Sequence, residues 1–400
     1  MPAAGAFMLP HPPMAVPEVG RGSEVSIAET IEAYMRAARE ICALSPETIV
    51  ISSPHSVMYT DYFHISPGAG ASGDLSRFGA PEVSFEYPYD TEMVRLITHL
   101  CMDAGIPAGT MGERDAALDH GTLIPLYFVR QAYAEAGRSE DFMIVRIGLS
   151  GLPLADHYAL GMQVKAAADE LGRRIVFIAS GDLSHKLRED GPYGFAEEGP
   201  LYDERVMDVC SRADLGELLA FSEDFLEKSA ECGHRSFTIM AGALDRTAVS
   251  AQMLSHQDVT GVGYGIIIFR PQGEDPKRAL LDIYREREAA AVAGKRALED
   301  PYVRLARASV ECFVRSGHRL RLPPPPKRDK KGRVKFFSFN DDPHVRAAKL
   351  RGKVRGAGAD GSVMSDVFEG VYTAQLPEEM LTGRAGVFVS IHENGMLRGC

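Results

Sequence analysis

The first two thirds of the chain alternate short apolar runs with amphipathic stretches. Over residues 1–270, the apolar runs that predict strands are Ala6–Pro10, Thr48–Ser53, Val83–Tyr87, Phe142–Leu149, Arg174–Ser180 and Gly261–Phe269. Between them lie stretches that predict helices, namely Ser26–Ala43, Thr91–Ala104, Pro125–Glu135, His157–Leu171, Glu204–Arg212 and Phe237–Ala243. Near-continuous apolar strands that alternate with helices are typical of an α/β fold with a mostly parallel central sheet flanked by helices. In such sheets the functional side chains gather in loops beyond the strand ends.

The pattern changes after residue 270. A polar break at Pro271–Pro276 is followed by a charged helix at about Lys277–Leu298, which predicts a connector that packs only in part. An amphipathic helix is expected at Tyr302–Arg315, with a proline at its first turn. We therefore expect a first domain at 1–272, a helical connector at 273–299 and an α+β second domain at 300–400.

The end of the chain predicts that this second domain is partial. Leu322–Lys335 is rich in proline and basic residues, which favours an extended, solvated loop. Gly386–His392 resembles a strand, and Asn394-Gly395 between two apolar runs predicts a hairpin. The second strand of that hairpin begins only a few residues before Cys400.

Composition narrows the class of protein. The chain has 400 residues, a net charge of −11 and 45% hydrophobic residues, which is typical of a soluble globular chain without a nucleic-acid-binding surface. No apolar run approaches the ~18 residues that span a bilayer, and the first residues lack the features of a signal peptide. Six cysteines without a CxxC pair indicate reduced thiols and predict a cytoplasmic protein.

Two histidines follow predicted strands and lie beside prolines. His11 comes just after Ala6–Pro10, and His55 comes just after Thr48–Ser53. If the two strands are parallel neighbours, both imidazoles point into one crevice, which is what a metal site needs. The alternative is that both are ordinary loop histidines.

Two further histidines lie in tight turns. His120 follows Asp119 and precedes a helix, and His185 follows Gly181-Asp182 beyond another apolar strand. Helix capping by Asp119 and a strand-to-helix turn at Gly181-Asp182 explain these acidic residues. They do not explain the histidines.

A carboxylate and a thiol stand side by side at Glu231-Cys232, before the helix Phe237–Ala243. This pair is either a helix cap beside a buried thiol or the source of an anionic metal ligand.

Together these segments resemble the LigB-type fold shared by class III extradiol dioxygenases and Memo-like proteins. They are similar to the AmmeMemoRadiSam-system family of two-domain proteins in five motifs that occur in the same order: MLPHPPMAVPEVGRG, SSPHSV, LDHGTLIPLYF, SGDLSHKL and AECGHRSFTIMAGAL. The resemblance covers about Phe7 to Phe269. The final segment GVFVSIHENGMLRGC resembles the start of the AMME-syndrome chromosomal-region domain, whose signature normally continues further.

The resemblance implies a metal held by His11 and His55. The third ligand that it implies is Glu231, as in ring-cleaving members, or Cys232, as in Memo-like members, with Glu231 preferred. Two histidines and a carboxylate suit Fe(II), whereas a thiolate favours softer metals, so Zn and Cu are the alternatives.

The resemblance also implies roles for residues beside the metal. His185 is the expected base and His120 the expected acid or oxygen-activating donor, since histidine exchanges protons near neutral pH. Asp119 and Asp182 are candidates for orienting these rings. Arg235 and Tyr158 are candidate substrate contacts.

Two functions follow from these assignments. The first is an Fe(II)-dependent extradiol dioxygenase that acts on a catechol-like aromatic substrate with dioxygen. The second is a Memo-like metal-binding or scaffold protein without ring cleavage, in a modification system with a radical-SAM partner. A zinc hydrolase fits less well, because the chain lacks a helical motif with a water-activating glutamate. Homo-oligomers are compatible with either function.

Overall fold

The computed structural model describes residues 3–320 without a break, together with 327–328, 330–331, 334–335, 376–377, 379–380, 390–393 and 396–399. The chain divides into two compact units, Met1–Arg285 and Glu286–Cys400. Within the described part of the chain, no helix has both the length and the apolar character needed to cross a bilayer.

A six-stranded, mostly parallel sheet forms the centre of the first unit, and the predicted α/β class is confirmed. Its strands are β1 (Ala3–Leu9), β2 (Thr48–Ser53), β7 (Met143–Gly148), β8 (Ile175–Ser180), β9 (Thr247–Gln257) and β10 (Tyr264–Glu274). Their order is β7-β2-β8-β1-β10-β9. The four strands β7, β2, β8 and β1 are parallel, so their carboxyl ends meet at one edge, and β10 and β9 extend the sheet antiparallel.

Shorter strands lie outside this sheet. They are β3 (Phe63–His64) with β6 (Ala108–Gly109), and β4 (Gly70–Leu75) with β5 (Ala80–Pro88). The predicted strand Val83–Tyr87 therefore belongs to a separate hairpin rather than to the central sheet.

Helices cover both faces of the sheet. The first unit contains α1 (Pro17–Gly20), α2 (Ala28–Leu44), α3 (Thr91–Asp103), α4 (His120–Glu135), α5 (Leu154–Leu171), α6 (Glu198–Ser211), α7 (Glu223–Ser229) and α8 (His234–Ala243). Alternate residues of β1 enter opposite cores: Phe7 and Leu9 pack with residues of α2 and α4, whereas Ala6 and Met8 pack with residues of α3, α5 and α8. Burial on both faces explains why the parallel strands are almost uniformly apolar.

Several elements of the first unit differ from the prediction, most of them in their bounds. Helix α4 begins at His120 rather than Pro125, because the Asp119 side chain accepts the Thr122 N–H and caps the helix. Strand β9 was missed, since only one of its eleven residues besides Thr247 is buried and its apolar pattern is weak.

Helices α5 and α8 cross at glycines. A Cβ atom on Gly161 would lie 1.9 Å from the Ile239 carbonyl oxygen, and one on Gly242 would lie 1.9 Å from the Tyr158 carbonyl oxygen. We expect Gly161→Ala to lower the free energy of unfolding by about 1–3 kcal/mol, because the backbones must separate. Gly216→Ala is the matched control, since its Cβ would meet Leu280 at an ordinary 3.4 Å. Equal denaturant midpoints for the two variants would contradict this packing.

The second unit contains α10 (Pro301–Ser316), while α9 (Leu280–Ala297) spans the division between the units. Asp300 caps α10 by accepting the N–H groups of Tyr302 and Val303. The predicted hairpin is present as β13 (Ile391–Glu393) and β14 (Met396–Gly399), with its turn residues outside the described residues. Within the predicted loop Leu322–Lys335, β11 (Lys327–Arg328) pairs with β12 (Val334–Lys335), and residues 322–326 lie outside the described residues.

Candidate metal centre

His11 and His55 meet at the carboxyl edge of the sheet. Each lies two residues beyond the end of its strand, β1 or β2. The strands are not neighbours, because β8 lies between them, but both are parallel to β8 and deliver their histidines to the same edge. The two Nε2 atoms are 3.0 Å apart, and the rings lie edge to face.

Three nitrogen atoms of His11 have polar contacts: the backbone nitrogen, Nδ1 and Nε2. Its backbone N–H donates to Asp182 Oδ1 at 2.7 Å, and its Nδ1 lies 2.9 Å from Ser180 Oγ. Its Nε2 lies 3.8 Å from Asp182 Oδ2. The residue is buried, and burial lowers its pKa well below the ordinary value for histidine, so the ring is neutral near pH 7.

His120 completes a cluster of three imidazoles. Its ring centre lies 4.0 Å from that of His55 and 5.4 Å from that of His11, and Phe78 packs against it. Each of the three histidines has a ring nitrogen within 4.8 Å of the others. Burial, with His55 next, lowers the pKa of His120 to about 3.

Asp119 positions this cluster indirectly, through hydrogen bonds to Ser53 and Thr122. It does not bond to His120; its Oδ1 accepts the Ser53 hydroxyl at 2.5 Å and the Thr122 N–H at 3.0 Å. The Ser53 oxygen in turn accepts the His55 N–H at 3.2 Å. Asp119 thus fixes both the start of α4 and the turn that carries His55.

Cys232, and not Glu231, lies beside His11. The Cys232 sulfur is 3.6 Å from His11 Nε2, and it accepts the Asp182 N–H at 3.3 Å. His11, Asp182 and Cys232 form a second group whose ligand atoms lie within 4.8 Å of one another.

Glu231 points into the start of α8. Its carboxylate accepts the N–H of His234, the first residue of that helix, at 2.6 Å. Burial raises the pKa of Glu231 to about 7 although this N–H lowers it. Of the two residues expected as third ligand, the structure therefore places Cys232 beside His11, whereas the preferred Glu231 contacts the start of α8.

His185 interacts electrostatically with Asp182 and His55. Its ring stacks on Tyr193 with centres 5.1 Å apart, and its buried Nε2 has no hydrogen-bond partner among the described residues. Burial is the largest cause that lowers its pKa, Asp182 acts against it, and His55 adds to it. Burial also raises the pKa of Asp182 to about 6.

The two candidate substrate contacts have structural partners. Tyr158 is fully buried on α5 and donates its hydroxyl to Asp245 at 2.8 Å, so it is not brought to the cluster. Arg235 is on α8 and donates to Glu223 at 2.5 Å, while its buried Nε has no hydrogen-bond partner among the described residues.

A cavity of about 440 Å³ adjoins the cluster at His55 and His120. Its other lining residues are Ser56, Val57, Ser72, Gly73, Asp74, Ser76, Arg77, Phe78, Asp115, Ala117, Leu118, Asp119 and Arg146. A cavity of this size accommodates a small aromatic molecule.

Arg146 organises the wall of that cavity. The fully buried guanidinium donates to Ser66 Oγ at 2.7 Å and to the Ala117 carbonyl at 2.5 Å, and it lies 3.6 Å from Asp119 Oδ2. Sequence reasoning missed this residue, although a charge inside the apolar run Phe142–Leu149 was a usable signal.

A comparison of the sequence with models of known protein families assigns the chain to a family. The model described as "Catalytic LigB subunit of aromatic ring-opening dioxygenase" matches residues 5–267. The chain belongs to this LigB family.

Several curated proteins are similar to this LigB protein. Protein CA_C1420 of Clostridium acetobutylicum is 35% identical over 324 residues, which cover 79% of this chain and 67% of that protein. The 2-aminophenol 1,6-dioxygenase beta subunit of Pseudomonas sp is 23% identical over 286 residues, which cover 65% of this chain and 92% of that subunit. The 2,3-dihydroxyphenylpropionate/2,3-dihydroxicinnamic acid 1,2-dioxygenase of Escherichia coli is 28% identical over 173 residues, which cover 40% of this chain and half of that enzyme.

The donor atoms of the LigB domain fit a divalent metal ion. Metal–nitrogen bonds of about 2.0–2.1 Å place neighbouring ligand nitrogens about 3 Å apart. The Nε2 atoms of His11 and His55 have this separation, at 3.0 Å. The Cys232 sulfur and an Asp182 carboxylate oxygen lie 3.6 Å and 3.8 Å from the same His11 Nε2 atom, in a second group of ligand atoms that His11 shares with the histidine cluster. Imidazole, thiolate and carboxylate are all ligands of Fe, Zn and Cu in proteins.

Proposed function

We propose that this LigB protein is a non-haem Fe(II)-dependent oxidoreductase of the extradiol dioxygenase type, with His11, His55 and Cys232 as metal ligands. Its substrate is a catechol-like aromatic molecule, and dioxygen is the second substrate. The observation that carries the proposal is the convergence of the His11 and His55 nitrogens, 3.0 Å apart, beside a cavity of about 440 Å³.

Cys232 is proposed as the third ligand because of where its sulfur lies. It is 3.6 Å from His11 Nε2, whereas the Glu231 carboxylate is engaged by the His234 N–H. Burial raises the pKa of the Cys232 thiol well above its ordinary value, so without a cation the thiol is protonated. A thiol that coordinates a divalent metal is deprotonated. Zn and Cu remain the alternative metals, since thiolate ligands favour them.

A ferrous ion held by His11, His55 and Cys232 would supply open coordination positions for a catechol and dioxygen. Residues of the chain orient the substrate, accept its proton and donate hydrogen bonds to it. His185 has an unpartnered Nε2 and a pKa lowered by burial, so it is neutral and can accept a phenolic proton. His120, with its pKa near 3, is also neutral and offers one N–H as a hydrogen-bond donor. Phe78 at 5.1 Å from the His120 ring gives the cavity an aromatic wall.

The Cys232 thiol beside His11 also favours a second function, that of a Memo-like protein. Ring-cleaving relatives are expected to carry a carboxylate as third ligand, and here the Glu231 carboxylate bonds to the His234 N–H. The alternative is therefore a Memo-like metal-binding or scaffold protein without ring cleavage, in a modification system with a radical-SAM partner. As one relative is named a beta subunit, we also include oligomerisation in the proposal.

Oxygen uptake by the iron-loaded protein separates the two functions. The full chain is loaded with Fe(II) without oxygen and then given oxygen with catechol, 2-aminophenol and 2,3-dihydroxyphenylpropionate. We expect uptake with at least one compound. His185→Ala is expected to keep the iron and to lower turnover about 10²–10⁴-fold, because the base is lost.

His99→Ala is the control, because His99 is exposed on α3, where it pairs with Asp103. It should leave both iron content and turnover unchanged. Stoichiometric iron with no oxygen uptake from any of the three compounds would contradict ring cleavage and support the second function.

A further inference from the structure

A proline inside α4 leaves one carbonyl group of that helix without its usual donor. Pro125 is the sixth residue of α4, and it has no N–H. In an α-helix the N–H of residue 125 would bond to the carbonyl of Gly121. Gly121 is buried in the first turn, directly after His120. A buried carbonyl without a donor is unfavourable, so another group must serve it.

Ser180 serves that carbonyl. The fully buried hydroxyl at the end of β8 donates to the Gly121 oxygen at 2.5 Å. A serine hydroxyl has a single proton, which this bond consumes. The same oxygen lies 2.9 Å from His11 Nδ1. In this contact Ser180 can only accept, so Nδ1 must carry the proton.

The protonation of Nδ1 decides what the other ring nitrogen can do. A neutral imidazole has one N–H and one lone pair. With the proton on Nδ1, the lone pair of His11 is on Nε2, which faces His55 Nε2 at 3.0 Å and Cys232 Sγ at 3.6 Å. This is the nitrogen that a metal ion in the cluster requires.

We propose that Ser180 is a positioning residue that fixes the Nδ1–H tautomer of His11, and that Pro125 directs the Ser180 proton by freeing the Gly121 carbonyl. The inference rests on the proposed role of His11 as a metal ligand. It adds a second effect: the same bond ties the end of β8 to the first turn of α4, where His120 begins the helix.

Metal binding measures the contribution of Ser180. Co(II), whose visible absorption reports its ligands, is titrated into the metal-free full chain. We expect Ser180→Ala to weaken Co(II) binding about 10–100-fold, the usual effect of removing a partner of a ligating histidine. Ser52→Ala is the matched control: Ser52 is equally buried on the adjacent strand β2, but its hydroxyl pairs with Ser236 at 2.5 Å. The control should bind Co(II) within about threefold of the unaltered protein. Equal affinity of Ser180→Ala and the control would overturn the proposal.

Nitrogen NMR tests the tautomer without any metal. The histidines of the unaltered, metal-free chain are labelled with ¹⁵N, and the His11 signals are assigned by their loss in His11→Gln. The Nδ1–H form is expected, and the Nε2–H form would overturn the proposal. If the unaltered protein binds no Co(II), the proposed metal ligation fails, but the NMR result still decides the role of Ser180.

Discussion

His11→Ala and His55→Ala are each expected to lose stoichiometric binding of Fe(II). Each substitution removes one of two nitrogens that lie 3.0 Å apart, and the remaining donors hold a divalent ion about 100-fold more weakly or worse. Anaerobic titration with Fe(II), followed by measurement of retained iron, gives the stoichiometry and the affinity.

Stability separates a lost ligand from a lost fold. Both histidines lie in loops beyond strand ends, so we expect both metal-free variants to remain folded, with His11→Ala the less stable of the two because His11 is buried and bonds to Ser180. Added Fe(II) should stabilise the parent and neither variant, because a ligand stabilises only the state that binds it. Full iron retention by both variants would show that these histidines are not ligands.

Cys232→Ala and Glu231→Ala are expected to act on different properties of the protein. Removing the sulfur 3.6 Å from His11 Nε2 should weaken metal binding sharply, by about 100-fold, as for the loss of any one of three ligands. Removing the Glu231 carboxylate takes away the acceptor of the His234 N–H and should lower the free energy of unfolding by about 1 kcal/mol. Metal affinity and denaturant midpoints measured on the same two variants give this comparison.

The reverse pattern would assign the site differently. If Glu231→Ala released the metal and Cys232→Ala retained it, the start of α8 would have to rearrange on metal binding so that the carboxylate turns toward His11. That outcome would also strengthen the case for ring cleavage, since it restores a site of two histidines and one carboxylate.

The proximity of His11 and His55 could be predicted because parallel strands have a simple geometry. Carboxyl ends of parallel strands share one edge, so a histidine just beyond each of two strands must lie near that edge. The strand order was not needed: β1 and β2 are separated by β8, and the rings still meet.

The choice between Glu231 and Cys232 could not be read from the sequence. The two residues are adjacent, so their side chains leave the backbone in different directions, and only the local path of the chain before α8 decides which one faces His11. That path is set by the Gly233 N–H, which donates to the Asp182 carbonyl at 3.1 Å, and by the His234 N–H, which donates to the Glu231 carboxylate. Contacts between residues some fifty positions apart leave no pattern in either segment.

Ser180 and Arg146 were missed for a related reason. Ser180 ends an apolar strand, where a serine is unremarkable until the Gly121 carbonyl is seen beside it. Arg146 interrupts an apolar strand, but its partners in residues 113–119 belong to a loop without periodicity. The boundaries at 272 and 299 and the AMME-type identity of the second domain stay predictions.

X-ray absorption at the iron edge of the anaerobically loaded, full-length protein tests the metal centre most directly. The predicted result is a ligand shell with one sulfur and at least two imidazole nitrogens, with the sulfur absent from Cys232→Ala and the imidazole signal reduced in His11→Ala. A shell of nitrogen and oxygen alone, unchanged by Cys232→Ala, would contradict a site built from His11, His55 and Cys232.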